Sequence, residues 1–94
     1  MTIQQIRYVM KIAETGSVNR AARMLGVKQP SVSAAVADLE RELGIFLFER
    51  NPRGMKLTDA GKEFLNYAKR LAQSFDQLED RYGISDCCHK SVLP

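Results

Sequence analysis

The chain has 94 residues, 45% of them hydrophobic and 27% charged, which is enough for one small domain with a modest core. No run of about eighteen apolar residues occurs and the N-terminus lacks a secretory signal pattern, so neither a membrane span nor secretion is expected. The net charge of +3 comes entirely from residues 1–57, which hold nine Lys/Arg against five Asp/Glu, and this excess favours a polyanionic partner.

Three short helices are predicted in the first 44 residues. Apolar residues at helical spacing begin the first helix at Ile3, and Gly16 ends it. Ser17 caps a second helix over residues 18–25. A third helix begins at about Pro30, because the N–H that proline lacks has no intrahelical partner in a first turn. Its buried stripe is Val32, Val36, Leu39 and Leu43.

A basic hairpin follows the third helix. Residues 46–50 and 55–57 suit two short strands. The four residues from Asn51 to Gly54 between them match a type I turn, with Asn first, Pro second and Gly fourth. This turn places Arg53 at the tip of the hairpin.

A long fourth helix begins after Thr58 and continues to Tyr82, about 37 Å at 1.5 Å per residue. Its apolar residues alternate steps of four and three, which is typical of a coiled coil. Packing on its own domain explains the first turns only, so a homodimer through this helix is predicted. The predicted dimerisation residues are Phe64, Ala68, Leu71, Phe75 and Leu78.

Residues 83–94 show no periodicity and are expected to form a disordered tail. Cys87 and Cys88 are adjacent, which is poor spacing for a tetrahedral zinc site with His89, so no metal is predicted. The chain offers no nucleophile–base pair and no phosphate loop, and its only histidine lies in this tail. We therefore expect neither an enzyme nor a cofactor.

Two short helices joined by a tight turn and followed by a basic hairpin predict a mainly α fold, a winged helix-turn-helix with a long dimerisation helix. The segments AETGSVNRAARMLGVKQPSVS, LERELGIFLFER and GMKLTDAGKEFL resemble the DNA-binding domain of LysR-type transcriptional regulators, over residues 1 to about 80. The resemblance implies a cytoplasmic bacterial transcription factor. It also implies dimerisation through the fourth helix and binding to a pseudo-palindromic, often A·T-rich, operator in double-stranded DNA. The corresponding division is a DNA-binding domain at 1–57, a dimerisation helix at 58–82 and a tail at 83–94.

The family's DNA contacts fall at the start of the third helix and on the wing. The resemblance makes Gln29 the best candidate for a base contact, because its amide can pair with adenine N6 and N7. Ser31 and Ser33 can bond base edges or phosphates. Pro30 and Ala34 share the face opposite the buried stripe and can meet thymine methyl groups.

Basic and polar residues around that helix complete the implied site. Asn19 and Arg20 resemble phosphate contacts, and Arg53 is expected to enter or flank the minor groove. Arg50 is a further candidate, although a solvated strand residue or an internal ion pair would also explain it. Lys28 stands where the family usually has Ser or Thr, so the helix lacks its usual cap, and we expect Lys28 to contact a phosphate instead.

Relatives in this family continue into a larger effector-binding domain, which this sequence does not include. A small-molecule effector is therefore not expected for this chain alone. Both a fragment of a longer regulator and a naturally short protein are compatible with the sequence. The alternative function is an interaction protein that heterodimerises with a full-length regulator or inhibits it.

Overall fold

The computed structural model describes residues 1–82, which form four helices and one two-stranded antiparallel sheet. The predicted winged helix-turn-helix with a long last helix is confirmed. The predicted tail, with Cys87, Cys88 and His89, lies outside the described residues. The elements are α1 (Ile3–Thr15), α2 (Val18–Leu25), α3 (Gln29–Leu43), β1 (Phe48–Asn51), β2 (Gly54–Leu57) and α4 (Asp59–Tyr82).

The first two helices end where local chemistry dictates. The Thr2 hydroxyl accepts the Gln5 N–H while the Gln5 side chain accepts the Thr2 N–H, a capping box that begins α1. Gly16 ends α1 in the left-handed conformation, at a φ of 76°. Ser17 then caps α2 by accepting the Arg20 N–H at 3.1 Å. Both helices therefore have the predicted bounds.

The core lies where α1, α2 and α3 meet. Val9 and Ile12 of α1 are fully buried, as is Ala21 of α2. On α3 the predicted stripe faces this core, with Val32, Val36 and Leu39 buried and Leu43 half-buried. Because the apolar stripe of α3 is buried in the core, the opposite face of the helix is left to solvent or to a ligand.

The segment between α3 and β1 is held by hydrogen bonds to Glu40 of α3 and to Thr58 rather than by strand pairing. Leu47 is fully buried; its N–H donates to Glu40 Oε2 at 2.7 Å and its carbonyl accepts the Thr58 N–H at 3.0 Å. The Thr58 hydroxyl donates to the Phe46 carbonyl at 2.6 Å. Because these groups are already engaged, strand pairing begins at Phe48 and not at residue 46 as predicted.

Glu40→Ala is expected to lower the free energy of unfolding by about 1–2 kcal/mol. The change leaves the buried Leu47 N–H without a partner, and an unsatisfied buried donor costs about that much. Urea unfolding followed by circular dichroism measures the loss. Glu63→Ala is the matched control, because Glu63 is an exposed helical glutamate with no ion pair among the described residues. Equal stability of the two variants would contradict this role for Glu40.

The wing is fixed to the turn between α1 and α2. Its register runs from Phe48 opposite Leu57 to Asn51 opposite Gly54. The Met55 N–H donates to the carbonyl of Gly16 at 3.0 Å. This bond holds β2, close to the turn of the hairpin, beside the helix-turn-helix.

The last helix packs on α1 along much of its length. Ala68 and Ala72 are buried in this contact, and Gly61 is buried in the first turn of α4. The long axis of the described molecule reaches 51 Å, since α4 extends past the three-helix core. Within residues 1–82, no helix combines the length and the apolar character that crossing a membrane requires.

Candidate nucleic-acid interface

The start of α3 is exposed and lacks a side-chain cap. Lys28 occupies the N-cap position with extended dihedral angles, φ −81° and ψ 144°, and its side chain makes no capping hydrogen bond. This confirms the predicted absence of a cap. Helical geometry begins at Gln29, one residue earlier than predicted, and Pro30 follows within the first turn. The side chains of Lys28, Gln29, Pro30 and Ser31 are all exposed.

The outward face of α3 carries small, uncharged side chains near the start of the helix. Pro30, Ala34 and Ala37 lie on the side opposite the buried stripe, and all three are exposed. Ser33 is half-buried between this face and the wing. Side chains this small let another molecule approach the helix backbone closely.

A groove joins the helix-turn-helix to the wing and brings three predicted site residues together. Its volume is about 240 Å³, and Asn19, Gln29 and Arg50 line it from α2, α3 and β1. A second groove of about 270 Å³ places Ser33 beside Arg50. The other predicted positions lie outside these two grooves: Arg20, Lys28, Pro30, Ser31, Ala34 and Arg53.

No carboxylate within residues 1–82 neutralises the predicted basic contacts. Within residues 1–82, three basic side chains outside the site pair with carboxylates: Arg7, Lys11 and Arg41. The basic residues of the site are exposed and pair with no carboxylate in the same part of the chain: Arg20, Lys28, Arg50 and Arg53. The internal ion pair left open for Arg50 is therefore not found among the described residues.

The wing tip is shaped by Asn51. Its side-chain oxygen accepts the Arg53 N–H at 3.1 Å, which is the local bond that asparagine makes in turns. Among the described residues only glycines have a positive φ, so Arg53 has the negative φ that the predicted type I turn requires. Asn51 also lines the groove beside Gln29. The sequence indicated its role in the turn but not this position.

The predicted dimerisation residues lie on two sides of α4. Ala68 is buried and Phe75 half-buried on the side that faces α1. Leu71 and Leu78 are 48% and 51% exposed. At about 100° per residue, their side is about 60° around the helix from Ala68 and Phe75. Phe64 packs partly on the core and also lines an open groove of about 400 Å³ beside Leu71.

Lys28→Ser is expected to stabilise the fold slightly and to weaken DNA binding. Serine restores the missing cap, worth about 1 kcal/mol, and the change removes a cation that can contact a phosphate. Titrations at several salt concentrations should show the slope of log K against log salt falling by about one unit per subunit. Lys69→Ser on α4 is the control. Unchanged affinity and slope for Lys28→Ser would refute the phosphate contact.

Comparison with known proteins places this architecture in a family. The family described as "Bacterial regulatory helix-turn-helix protein, lysR family" matches residues 3–62, more than half of the chain, from α1 into the first turn of α4. The chain belongs to the lysR family. The winged helix-turn-helix and the interface described above lie inside the matched region.

Curated members of the lysR family are similar over most of this chain. The HTH-type transcriptional regulator ClcR of Pseudomonas putida is 45% identical over 71 residues, which is 76% of this chain and 24% of ClcR. YofA of Bacillus subtilis, also an HTH-type transcriptional regulator, is 43% identical over 74 residues, covering 79% of this chain and 26% of YofA. The chain thus spans about a quarter of the length of these relatives.

Solved lysR-family structures share the fold. A crystal structure of the CbnR DBD–DNA complex is 38% identical with a TM-score of 0.81, covering 86% of this chain and 93% of that one. The BenM DBD in complex with catB site 1 DNA is 37% identical with a TM-score of 0.83, covering 86% and 90% of the two chains.

Proposed function

We propose that this chain is the DNA-binding and dimerisation part of a transcriptional regulator. Residues 1–57 form the DNA-binding unit and residues 58–82 the dimerisation helix. The observation that carries the proposal is the exposed, uncharged start of α3, flanked by cations of α2 and the wing that pair with no carboxylate of residues 1–82. The expected ligand is a pseudo-palindromic, A·T-rich operator, and the expected location is the cytoplasm, where bacterial DNA lies.

Base contacts come from the first turns of α3 in the major groove, which admits a helix. Gln29 is the first helical residue and is exposed, so its amide can reach N6 and N7 of an adenine. Pro30 and Ala34 present carbon atoms that suit thymine methyl groups. Ser33 offers one further hydrogen bond. Few hydrogen-bonding groups on this face mean that sequence specificity depends strongly on Gln29.

Phosphate contacts supply most of the affinity in this arrangement. Asn19 and Arg50 approach one strand from the two walls of the groove that Gln29 also lines. Lys28 lies just before α3, and Arg20 lies in the first turn of α2. Arg53 extends from the wing tip toward the minor groove of the DNA. A narrow A·T minor groove attracts arginine. Contacts of this kind fix the register of the protein on the duplex without selecting its sequence.

Dimerisation uses the outer side of α4. Exposed apolar or small residues recur on this side at steps of four, three and four: Tyr67, Leu71, Ser74 and Leu78. The groove of about 400 Å³ between this side and the start of α1 is lined almost entirely by carbon, including Met1 and Ile6. An exposed apolar surface along a helix is typical of a protein contact. Of the four residues on this side, the three large apolar ones therefore make the proposed contact between two copies: Tyr67, Leu71 and Leu78.

The comparisons support the proposal. ClcR and YofA are transcriptional regulators, and the CbnR and BenM structures are complexes with DNA. The relatives extend well beyond the region that matches this chain, so an effector site or regulated activation is not assigned to it.

Selection of duplexes from a random library by the purified chain tests the proposal. We expect one enriched half-site, repeated with inverted symmetry about one helical turn away. A chain that shifts no selected duplex would contradict DNA binding and favour the alternative, in which it acts by pairing with a full-length regulator. Sedimentation equilibrium at micromolar concentration tests the dimer, and a monomer there would contradict the proposed role of α4.

A further inference from the structure

We infer that Arg7 is a positioning residue that sets the direction of α4 relative to the DNA-binding unit, and with it the half-site spacing that a dimer accepts. This inference rests on the proposed function. Arg7 Nη2 lies 2.9 Å from Asp76 Oδ1 and 3.9 Å from Glu79 Oε1. The same guanidinium lies 5.2 Å from the centre of the Phe75 ring. One side chain of α1 thus contacts three residues of α4.

These contacts lie where the rest of the packing ends. The last buried residue of α4 is Ala72, and from Gln73 to Tyr82 every described side chain is half-buried or exposed. The Arg7 pairs are the only ion pairs between α1 and α4 among residues 1–82. Without Arg7, the apolar contacts through Ala68 and Ala72 would fix the middle of α4 but not its C-terminal part.

A small change in the tilt of α4 matters because the helix is long. It has 24 residues and therefore extends about 36 Å. With the middle of the helix held at Ala72, the last ten residues extend about 15 Å, so a tilt of about 12° moves the far end by about 3 Å, close to the rise of about 3.4 Å for one base pair. In a symmetric dimer that joins two copies through α4, the tilts of both copies contribute to the distance between the two α3 helices.

Arginine is suited to this position. A planar guanidinium can bond a carboxylate along its edge while its face lies on an aromatic ring, which an ammonium group cannot do equally well. Arg7 is half-exposed, with 43% of its side chain accessible. Exposed ion pairs add little to stability, so loss of Arg7 should alter orientation without unfolding the chain.

Affinities for a set of palindromic duplexes test the inference. Each duplex carries the half-site returned by the selection, and the spacer changes by one base pair from one duplex to the next. Wild type should prefer one spacing. Arg7→Ala should reduce that preference over the neighbouring spacings by about three- to fivefold, the size expected for an ion pair with a cation–π contact. Binding to a single half-site should not change, and the unfolding midpoint should fall only slightly.

Matched variants separate orientation from a general charge effect. Lys11→Ala removes a cation of α1 that pairs with Glu14 inside the same helix, and it should keep the wild-type spacing preference. The exchange Arg7→Asp with Asp76→Arg should recover part of the preference. An Arg7→Ala chain that keeps the wild-type spacing preference would overturn the inference about Arg7 but not the proposed function. So would an Arg7→Ala chain whose binding to a single half-site weakens as much as its binding to the palindromic duplexes. A wild-type chain that binds no duplex contradicts the proposed function as well.

Discussion

Gly61→Ala is expected to lower the free energy of unfolding by about 1–3 kcal/mol, the usual cost of adding a methyl group to a closely packed site. In an open helix the same change would stabilise by up to about 1 kcal/mol. An added Cβ at residue 61 would overlap the carbonyl oxygen of Leu47 and lie 3.0 Å from Leu57 Cδ2. That carbonyl already accepts the Thr58 N–H, so it cannot move without breaking the bond that fixes the start of α4.

Urea unfolding at one fixed protein concentration measures the effect, since the stability of a dimer depends on concentration. Asn66→Ala is the control: Asn66 is exposed on the same helix, and its replacement should change stability by less than about 0.5 kcal/mol. A Gly61→Ala chain as stable as wild type would mean that α4 does not approach the Leu47 backbone as closely as described.

The order and type of the elements could be predicted because local chemistry determines them. Gly16 and Gly44 end helices in the left-handed conformation, and Ser17 caps α2. The periodicity of α3 indicated which residues enter the core, because one apolar stripe at helical spacing has only one way to be buried. None of these predictions depends on contacts between distant parts of the chain.

Predictions that depended on distant contacts were less accurate. β1 begins two residues later than predicted, since Glu40 and Thr58 engage the preceding backbone, and no pattern in residues 46–50 indicates that. On α4 the alternation of four and three did not indicate which of its residues pack on α1. Ala68 and Ala72 are small enough for the helix to pack closely on α1, which leaves Leu71 on a separate side. Residues with the same period can face different neighbours.

For the candidate site, too, local features could be predicted and features that depend on distant contacts could not. The exposed start of α3 followed from Pro30 and from the missing cap at Lys28. The groove shared by Asn19, Gln29 and Arg50 did not follow, because three elements form it and their relative placement depends on the bond from Met55 to Gly16. This bond helps to hold the wing beside the helix-turn-helix, so Arg50 of the wing lies at the same groove as Gln29 of α3.

Gln29→Ala and Arg53→Ala are expected to weaken DNA binding in different ways, which tests the division between base and phosphate contacts. Gln29→Ala should cost about 1–3 kcal/mol on the selected operator, roughly 5- to 150-fold in affinity, and remove the preference at one base step. Its salt dependence should not change, because an amide displaces no counterion. Gln29 is exposed, so the stability of the free protein should be unaffected.

Arg53→Ala should weaken binding to all duplexes by similar factors and reduce the slope of log K against log salt by about one unit per subunit. Titrations of both variants against the operator and its single-base substitutions, at four salt concentrations, measure both quantities. Asn66→Ala serves again as the variant outside the interface. A Gln29 variant with a reduced salt slope, or an Arg53 variant that loses preference at one base only, would reverse the assigned roles. Such a result would place the wing in base recognition and the start of α3 on the phosphate backbone.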